Sequence, residues 1–220
     1  MIPKLKKLNL LLLVFLLLTL TGIAHAGLFS DSLRYKMTVT VETPEGIKTG
    51  SAVREVTVTH GLALMPQMHD IPKVNGEAVV VDLGKRGVLF ALMKGATLGE
   101  DYGADIPVYA LGGRDKKGKA ELPPALYPIF VHFKDINDPK TLENVISVSS
   151  NGRLGDTGNI TQDRMDEIFG KGVSLKRVEI ESTDEPITHL IKKYHIPRAD
   201  KGLYAIPHNL IPLSDFQKGD

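Results

Sequence analysis

The run from Tyr35 to Glu42 limits this chain most: Tyr35, Met37, Val39 and Val41 alternate with Lys36, Thr38, Thr40 and Glu42. A period of two puts the four larger apolar side chains on one face, which makes a strand with one wet side and rules out a helix. Thr43-Pro44-Glu45-Gly46 closes the strand, with proline setting φ early in a turn and glycine at its exit, so Ile47 to Thr59 returns antiparallel. The apolar frame of the return strand runs through Ile47 and Val53, then slips to Val56 and Val58. That slip predicts a bulge near Arg54-Glu55.

A second hairpin follows. Pro66 and Pro72 break the pattern between His60 and Asn75, and Glu77 to Leu83 resumes with Val79-Val80-Val81, a run that reads as buried on both faces. Gly84-Lys85-Arg86-Gly87 turns the chain, and Val88 to Met93 comes back as core. Short strands are predicted at Ile106–Leu111 and Tyr127–Phe133, separated by a solvated basic loop, Arg114 to Lys119. Asp138 caps and Pro139 opens a short helix through about Asn144. Thr161 caps a second helix carrying Met165, Ile168 and Phe169, which Gly170 ends. Val173 to Ser182 is a strand with a bulge at Lys176-Arg177, and Pro186 opens a third helix bearing Ile187, Leu190, Ile191 and Tyr194 on one stripe. These elements predict a mainly β fold, a bulged β-sandwich or half-open barrel of about six to seven strands with three short helices, with an α+β sheet as the alternative.

Residues 1–26 read as a signal peptide. Lys4, Lys6 and Lys7 precede an apolar block from Leu8 to Leu20, and Ala24-His25-Ala26 forms an A-x-A site that predicts cleavage before Gly27. The block is shorter than the roughly 20 apolar residues of a spanning helix and is interrupted by Asn9 and Thr19, so removal is expected rather than anchoring. Residues 27–220 are then a single exported domain, periplasmic or secreted, with an irregular tail over about 196–220. Three lysines and no acid leave with the signal, so 27 basic residues fall to 24 against 26 acidic and the formal charge of +1 turns slightly negative. Such a chain has no overall electrostatic drive toward nucleic acid. It has no cysteine, which excludes disulfides, a thiolate nucleophile and cysteine-held metal sites.

The succession VETPEGIKTGSAV (Val41 to Val53), GEAVVVDLG (Gly76 to Gly84), FKDINDPKTLENV (Phe133 to Val145), FGKGVSLKRVEI (Phe169 to Ile180) and TDEPITHLI (Thr183 to Ile191) resembles a family of uncharacterised exported bacterial proteins. The matches keep their order across most of the chain after Ala26. The resemblance implies export and no particular activity, cofactor or residue role. A Gly/Asn-rich stretch around Ser149 to Asn159 and the ending Tyr194-His195-Ile196-Pro197 depart from the family pattern.

Two constellations carry candidate chemistry. His60, Met65, Met68 and His69 combine imidazole and thioether donors suited to copper(I), the only cofactor the chain suggests. His132, with Asp135 just beyond the same strand, has the residue types of an oriented general base, and His69-Asp70 offers a second such pair. Ser147, Ser149 and Ser150 lack a nucleophile elbow. Asp135, Asp138, Asp156, Asp163, Asp166 and Glu167 do not have the order of a calcium loop, and Gly152, Gly155 and Gly158 lack the setting of a phosphate loop. The expectation is a non-catalytic envelope binding or adaptor domain with an envelope protein as partner. The alternatives are a periplasmic copper(I)-binding module and a cysteine-independent hydrolase.

Overall fold

The computed structural model describes residues 30–59, 71–97, 102–151, 156–196, 203–206, 209–212 and 216–218. The chain divides into two compact units. In the smaller, Met1–Asp31 with Val58–Ile71, the described residues are strand ends; the larger comprises Ser32–Thr57 with Pro72–Asp220. Its fold is mainly β, two antiparallel sheets packed as a sandwich. The strands outnumber the periodic runs, because several are short or bulged and carry no clean alternation.

The first sheet contains β1 (Ser30–Thr43), β2 (Gly46–Thr59), β3 (Ile71–Glu77), β6 (Lys119–Glu121), β10 (Ser174–Ser182) and β13 (Gln217–Lys218), in the order β13-β3-β2-β1-β10-β6. The second contains β4 (Val79–Asp82), β5 (Val88–Gly95), β7 (Pro128–Phe133), β8 (Leu142–Ser149) and β9 (Asn159–Asp163), in the order β4-β5-β7-β8-β9. Strands β11 (Leu203–Ile206) and β12 (Asn209–Pro212) pair as a separate hairpin. Both expected hairpins form: β1 turns into β2 at Pro44-Glu45, and β4 pairs β5 from Val79↔Ala91 to Asp82↔Val88. Tyr35, Met37, Val39 and Val41 are all fully buried, as their alternation requires. The bulge in β10 is present too, since Thr40 pairs Arg177 while Val41 pairs Leu175, leaving Lys176 unmatched.

In the second sheet β5 is buried on both faces, while the edge strand β9 is exposed throughout. Leu89 and Ala91 of β5 lie on one, Phe90 and Leu92 on the other, and all four are inaccessible. The Phe90 face is covered by C-terminal residues: Ile191 and Phe216 join Phe90, Leu92, Val131, Phe133 and Leu142 in one cluster. Phe90 meets Phe133, Tyr194 and Phe216 edge-on at 5.9 to 6.0 Å between ring centres, a preferred aromatic geometry. The stretch expected as an irregular tail therefore holds a hairpin and a core residue.

Several local expectations change. Ile106–Leu111 is not a strand but part of helix α1 (Tyr102–Leu111), despite Pro107 inside it. Pro107 has no N–H for the carbonyl of Gly103 four residues back. The buried hydroxyl of Tyr35 donates to that carbonyl instead, at 3.1 Å. After Asp138, whose side chain accepts from the Lys140 N–H, the helix is a single 3₁₀ turn, Pro139–Thr141, before β8 begins. Here Val145 and Ile146 are drawn into the core and the chain extends, carrying Ser147 and Ser149 into a strand. Thr161 lies in β9, and the helix after it is the short α2 (Met165–Phe169), where Asp163 accepts from the Met165 N–H. Gly170 ends it with φ +98°. The helix expected from Pro186 is reduced to a 3₁₀ segment, Leu190–Tyr194, with Ile191 as its buried residue.

Candidate functional site

His132 sits near the end of β7, half-buried, and two contacts hold it. Its Nδ1 lies 2.9 Å from the Val88 carbonyl, the contact a protonated Nδ1 makes. Its ring meets Phe169 edge-on at 5.0 Å. The β7–β8 register sets Glu143 directly opposite it. Asp135 is not brought to it: one Asp135 carboxylate oxygen accepts from both the backbone N–H and the side-chain amide of Asn137, closing a local turn. Glu143 is engaged elsewhere too, with Arg164 at 3.1 Å and Lys134 at 3.4 Å.

Two arginines organise this end of the sandwich. Arg86, in the 3₁₀ turn Gly84–Arg86, grips Glu45 of the first hairpin turn through Nε at 2.9 Å and Nη2 at 2.7 Å, and its Nη1 donates to the Phe169 carbonyl at 2.8 Å. One guanidinium thus ties the β1–β2 turn, the β4–β5 turn and the end of α2. These hydrogen bonds pull the Glu45 carboxyl down to about 2 and raise Arg86. Arg164 does the same between β8 and α2, donating to the Asn144 carbonyl, to Glu143 and twice to Glu167. Its pKa is raised, chiefly by Glu167, and Glu167 is lowered in return. Both arginines are fully used in bidentate or backbone contacts, so neither is left to hold a substrate anion.

The clamp at Glu45 makes the protein's acid response predictable. Its folded-state pKa of about 2 lies below the ordinary 4.5, so its contribution is complete above about pH 4.5 and is lost as pH falls through about 2. Glu45→Gln should therefore narrow the drop in urea midpoint between pH 5 and pH 2.5 relative to the parent. An unchanged drop would show that the ion pair does not couple to folding.

The residues that sequence reasoning missed lie where the chain crosses from β3 to β4. Arg54 of β2 is fully buried, and so is Glu77. Arg54 Nε donates to the Glu77 carbonyl at 3.0 Å, and Nη2 donates to the carbonyls of Ala91 and Leu92, both at 3.2 Å. Those acceptors lie where ladders fail: Glu77 ends β3, and the β5–β7 register breaks between Ala91 and Gly95. Burial raises the Tyr35 phenol, and Arg54 opposes that rise. The Glu77 carboxylate accepts from the N–H groups of Leu190 and Ile191 at 2.8 and 2.7 Å, capping the 3₁₀ segment from a strand 113 residues away. Alternation treats arginine and glutamate as surface residues, so the only signal was the frame slip near Arg54.

Beside this corner Ser51, Glu77, Ala78, Val80, Leu190, Lys193 and Tyr194 line an open hollow of about 250 Å³ including its mouth. Since that figure takes in open solvent, the enclosed space is far smaller than the roughly 300–1,000 Å³ of pockets that hold small organic ligands. Asp156 accepts from the Ser150 hydroxyl and the N–H groups of Asn151 and Gly158, which lowers its pKa and fixes the approach to β9. Among the described residues no three His, Asp or Glu side chains come together to hold a metal ion, and no helix is long and apolar enough to cross a membrane. His60, Met65, Met68, His69 and Asp70, and the cleavage residues Ala24, Ala26 and Gly27, lie outside the described residues. No protein-family model, curated protein or solved structure matches the chain.

Proposed function

We propose that the chain is an exported, non-catalytic binding domain of the bacterial envelope, periplasmic or secreted, that presents a β surface to another envelope protein. The observation that supports it most is how His132, Arg86, Arg164 and Asp135 are employed. Each is tied into turns, carbonyls or ion pairs that hold one end of the sandwich together. Export rests on the lysine-flanked apolar block and Ala24-His25-Ala26. The surface proposed for the partner is the outer face of β1 and β10. Lys36 with Glu185, Lys176 with Glu42, and Arg177 and Lys119 with Glu179 make a mixed-charge ladder there. Where both partners are exposed, as in Lys36–Glu185 and Lys176–Glu42, such pairs contribute little to folding, about 0–1 kcal/mol each, and serve specificity in association.

A tagged chain captured from its native envelope after cross-linking should bring down one envelope protein. A Lys36→Glu, Arg177→Glu variant with the parent's circular dichroism and melting should lose at least about tenfold of that recovery. No partner, or one indifferent to the two charges, would overturn the reading. The sequence run His60, Met65, Met68, His69 favours a second reading, a copper(I)-binding module. A copper(I) competition titration separates the two: equal affinity in the parent and the Met65→Ala, Met68→Ala variant removes it.

A further inference from the structure

The last described residues of the chain are held in an unusual way. Phe216 is buried among Phe90, Phe133 and Ile191, with 1% of its surface accessible. Among the described residues the strand that follows it covers Gln217 and Lys218, Gln217 pairing Glu77 and Lys218 pairing Gly76, and the Ala78 N–H donates to the Phe216 carbonyl at 2.7 Å. It forms the outermost strand of its sheet. A deep aromatic anchor is therefore joined to a minimal ladder.

That ladder is also imperfectly satisfied. The side-chain Nε2 of Gln217 and the Oδ1 of Asn75 are both buried without a hydrogen-bond partner. Gln217 stands opposite Glu77, so Asn75 is its diagonal neighbour on the same face of β3. One orphan donor and one orphan acceptor on the same face of this strand pair weaken the closed arrangement relative to a core strand. Segments with few ladder bonds and unsatisfied groups are the first to open.

We propose that Phe216–Lys218 is a displaceable plug, and that the slot it leaves along β3, floored by Phe90 and Phe133, accepts the same segment from a second copy of this chain. The occupant follows from the slot itself. Strand β3 supplies the pairing edge at Gly76 and Glu77, Ala78 supplies the N–H, and the aromatic pocket supplies the anchor, all already fitted to this sequence. Exchange of an identical element between copies needs no new interface chemistry. The about 20 residues between the 3₁₀ segment and Phe216 would span as much as roughly 70 Å when extended, enough to reach a neighbour if the β11–β12 hairpin travels with the plug. This goes beyond the proposed envelope partner, since it concerns the opposite end of the same sheet.

Two measurements on the full chain test it. Amide exchange at Ala78, whose N–H is bonded to Phe216, should run at least about tenfold faster than exchange at the β5 amides. Exchange no faster than theirs would overturn the proposal. Incubated at about 1 mM below its melting temperature and examined by light scattering, the chain should form a dimer. Excess peptide covering Asn209 to Asp220 should return the dimer to monomer, and the same peptide with Phe216→Ala should not. Monomer alone, or a dimer that ignores the first peptide or responds equally to both, would also overturn it. Neither measurement requires a Phe216 variant of the protein itself to fold.

Discussion

Arg54→Ala is expected to destabilise the fold by about 5 kcal/mol, read as a fall in urea midpoint with an unchanged slope. Three terms act together. The substitution empties the volume of a fully buried arginine, strips the donor from the Glu77 carbonyl, and strips it from the Ala91 and Leu92 carbonyls where the β5–β7 ladder is broken. Among the described residues no carboxylate pairs with the guanidinium and its Nη1 has no hydrogen-bond partner, which makes its burial costly. Arg54→Met removes that cost and refills most of the volume, so it should lose only about half as much, the remainder reflecting the orphaned carbonyls. Arg54→Lys should resemble Arg54→Met, because a single ammonium cannot reach acceptors on both β3 and β5. A loss under about 1 kcal/mol for Arg54→Ala would mean that the guanidinium is not what joins the two strands.

That arginine also marks where reading the chain residue by residue stops working. Both first hairpins, the Lys176 bulge and the Asp138 cap follow from neighbours within a few positions, and all are present, whereas of the Val79-Val80-Val81 run only Val79 and Val81 are buried and Val80 is half-buried. Helix α1 does not, because Pro107 argues against it locally and only Tyr35, 68 residues away, supplies the hydrogen bond that makes it acceptable. Strand β8 was hidden for a similar reason: its bulge against β7 buries consecutive residues and erases the alternation. The same holds for the candidate site. His132 was visible as a histidine on a strand, and the sequence neighbour Asp135 was the natural carboxylate to pair with it. Strand register instead sets Glu143 across from the ring, and the turn after β7 takes Asp135 for itself. Glu77 and Phe216 were invisible as determinants because their partners lie far off along the chain, Leu190 and Ile191 for Glu77 and Phe90 and Phe133 for Phe216.

Near the corner that Arg54 stitches, β2 of one sheet runs close against β4 of the other, and Gly50 makes that approach possible. A Cβ added at Gly50 would stand 2.0 Å from the Val80 carbonyl oxygen and 3.1 Å from a methyl of Val81. The obstacle is backbone of β4, which cannot swing aside as a side chain would, and Gly50 does not adopt a positive φ. Space, not conformation, is what glycine supplies here. Gly50→Ala must therefore push β2 away from β4, dragging Arg54 off its carbonyls, and should destabilise the fold by about 3 kcal/mol or more. Gly46 provides the converse case: its φ is +117°, yet nothing lies within 4 Å of an added Cβ. Gly46→Ala should lose about 1–2 kcal/mol, through backbone strain alone. Urea unfolding of the two variants in parallel checks the ranking. If Gly46→Ala proved the more damaging, the close approach of β2 to β4 would not be a feature of the folded protein. Combining Gly50→Ala with Arg54→Met should give less than the sum of the two losses, because the first substitution already breaks contacts that the second removes.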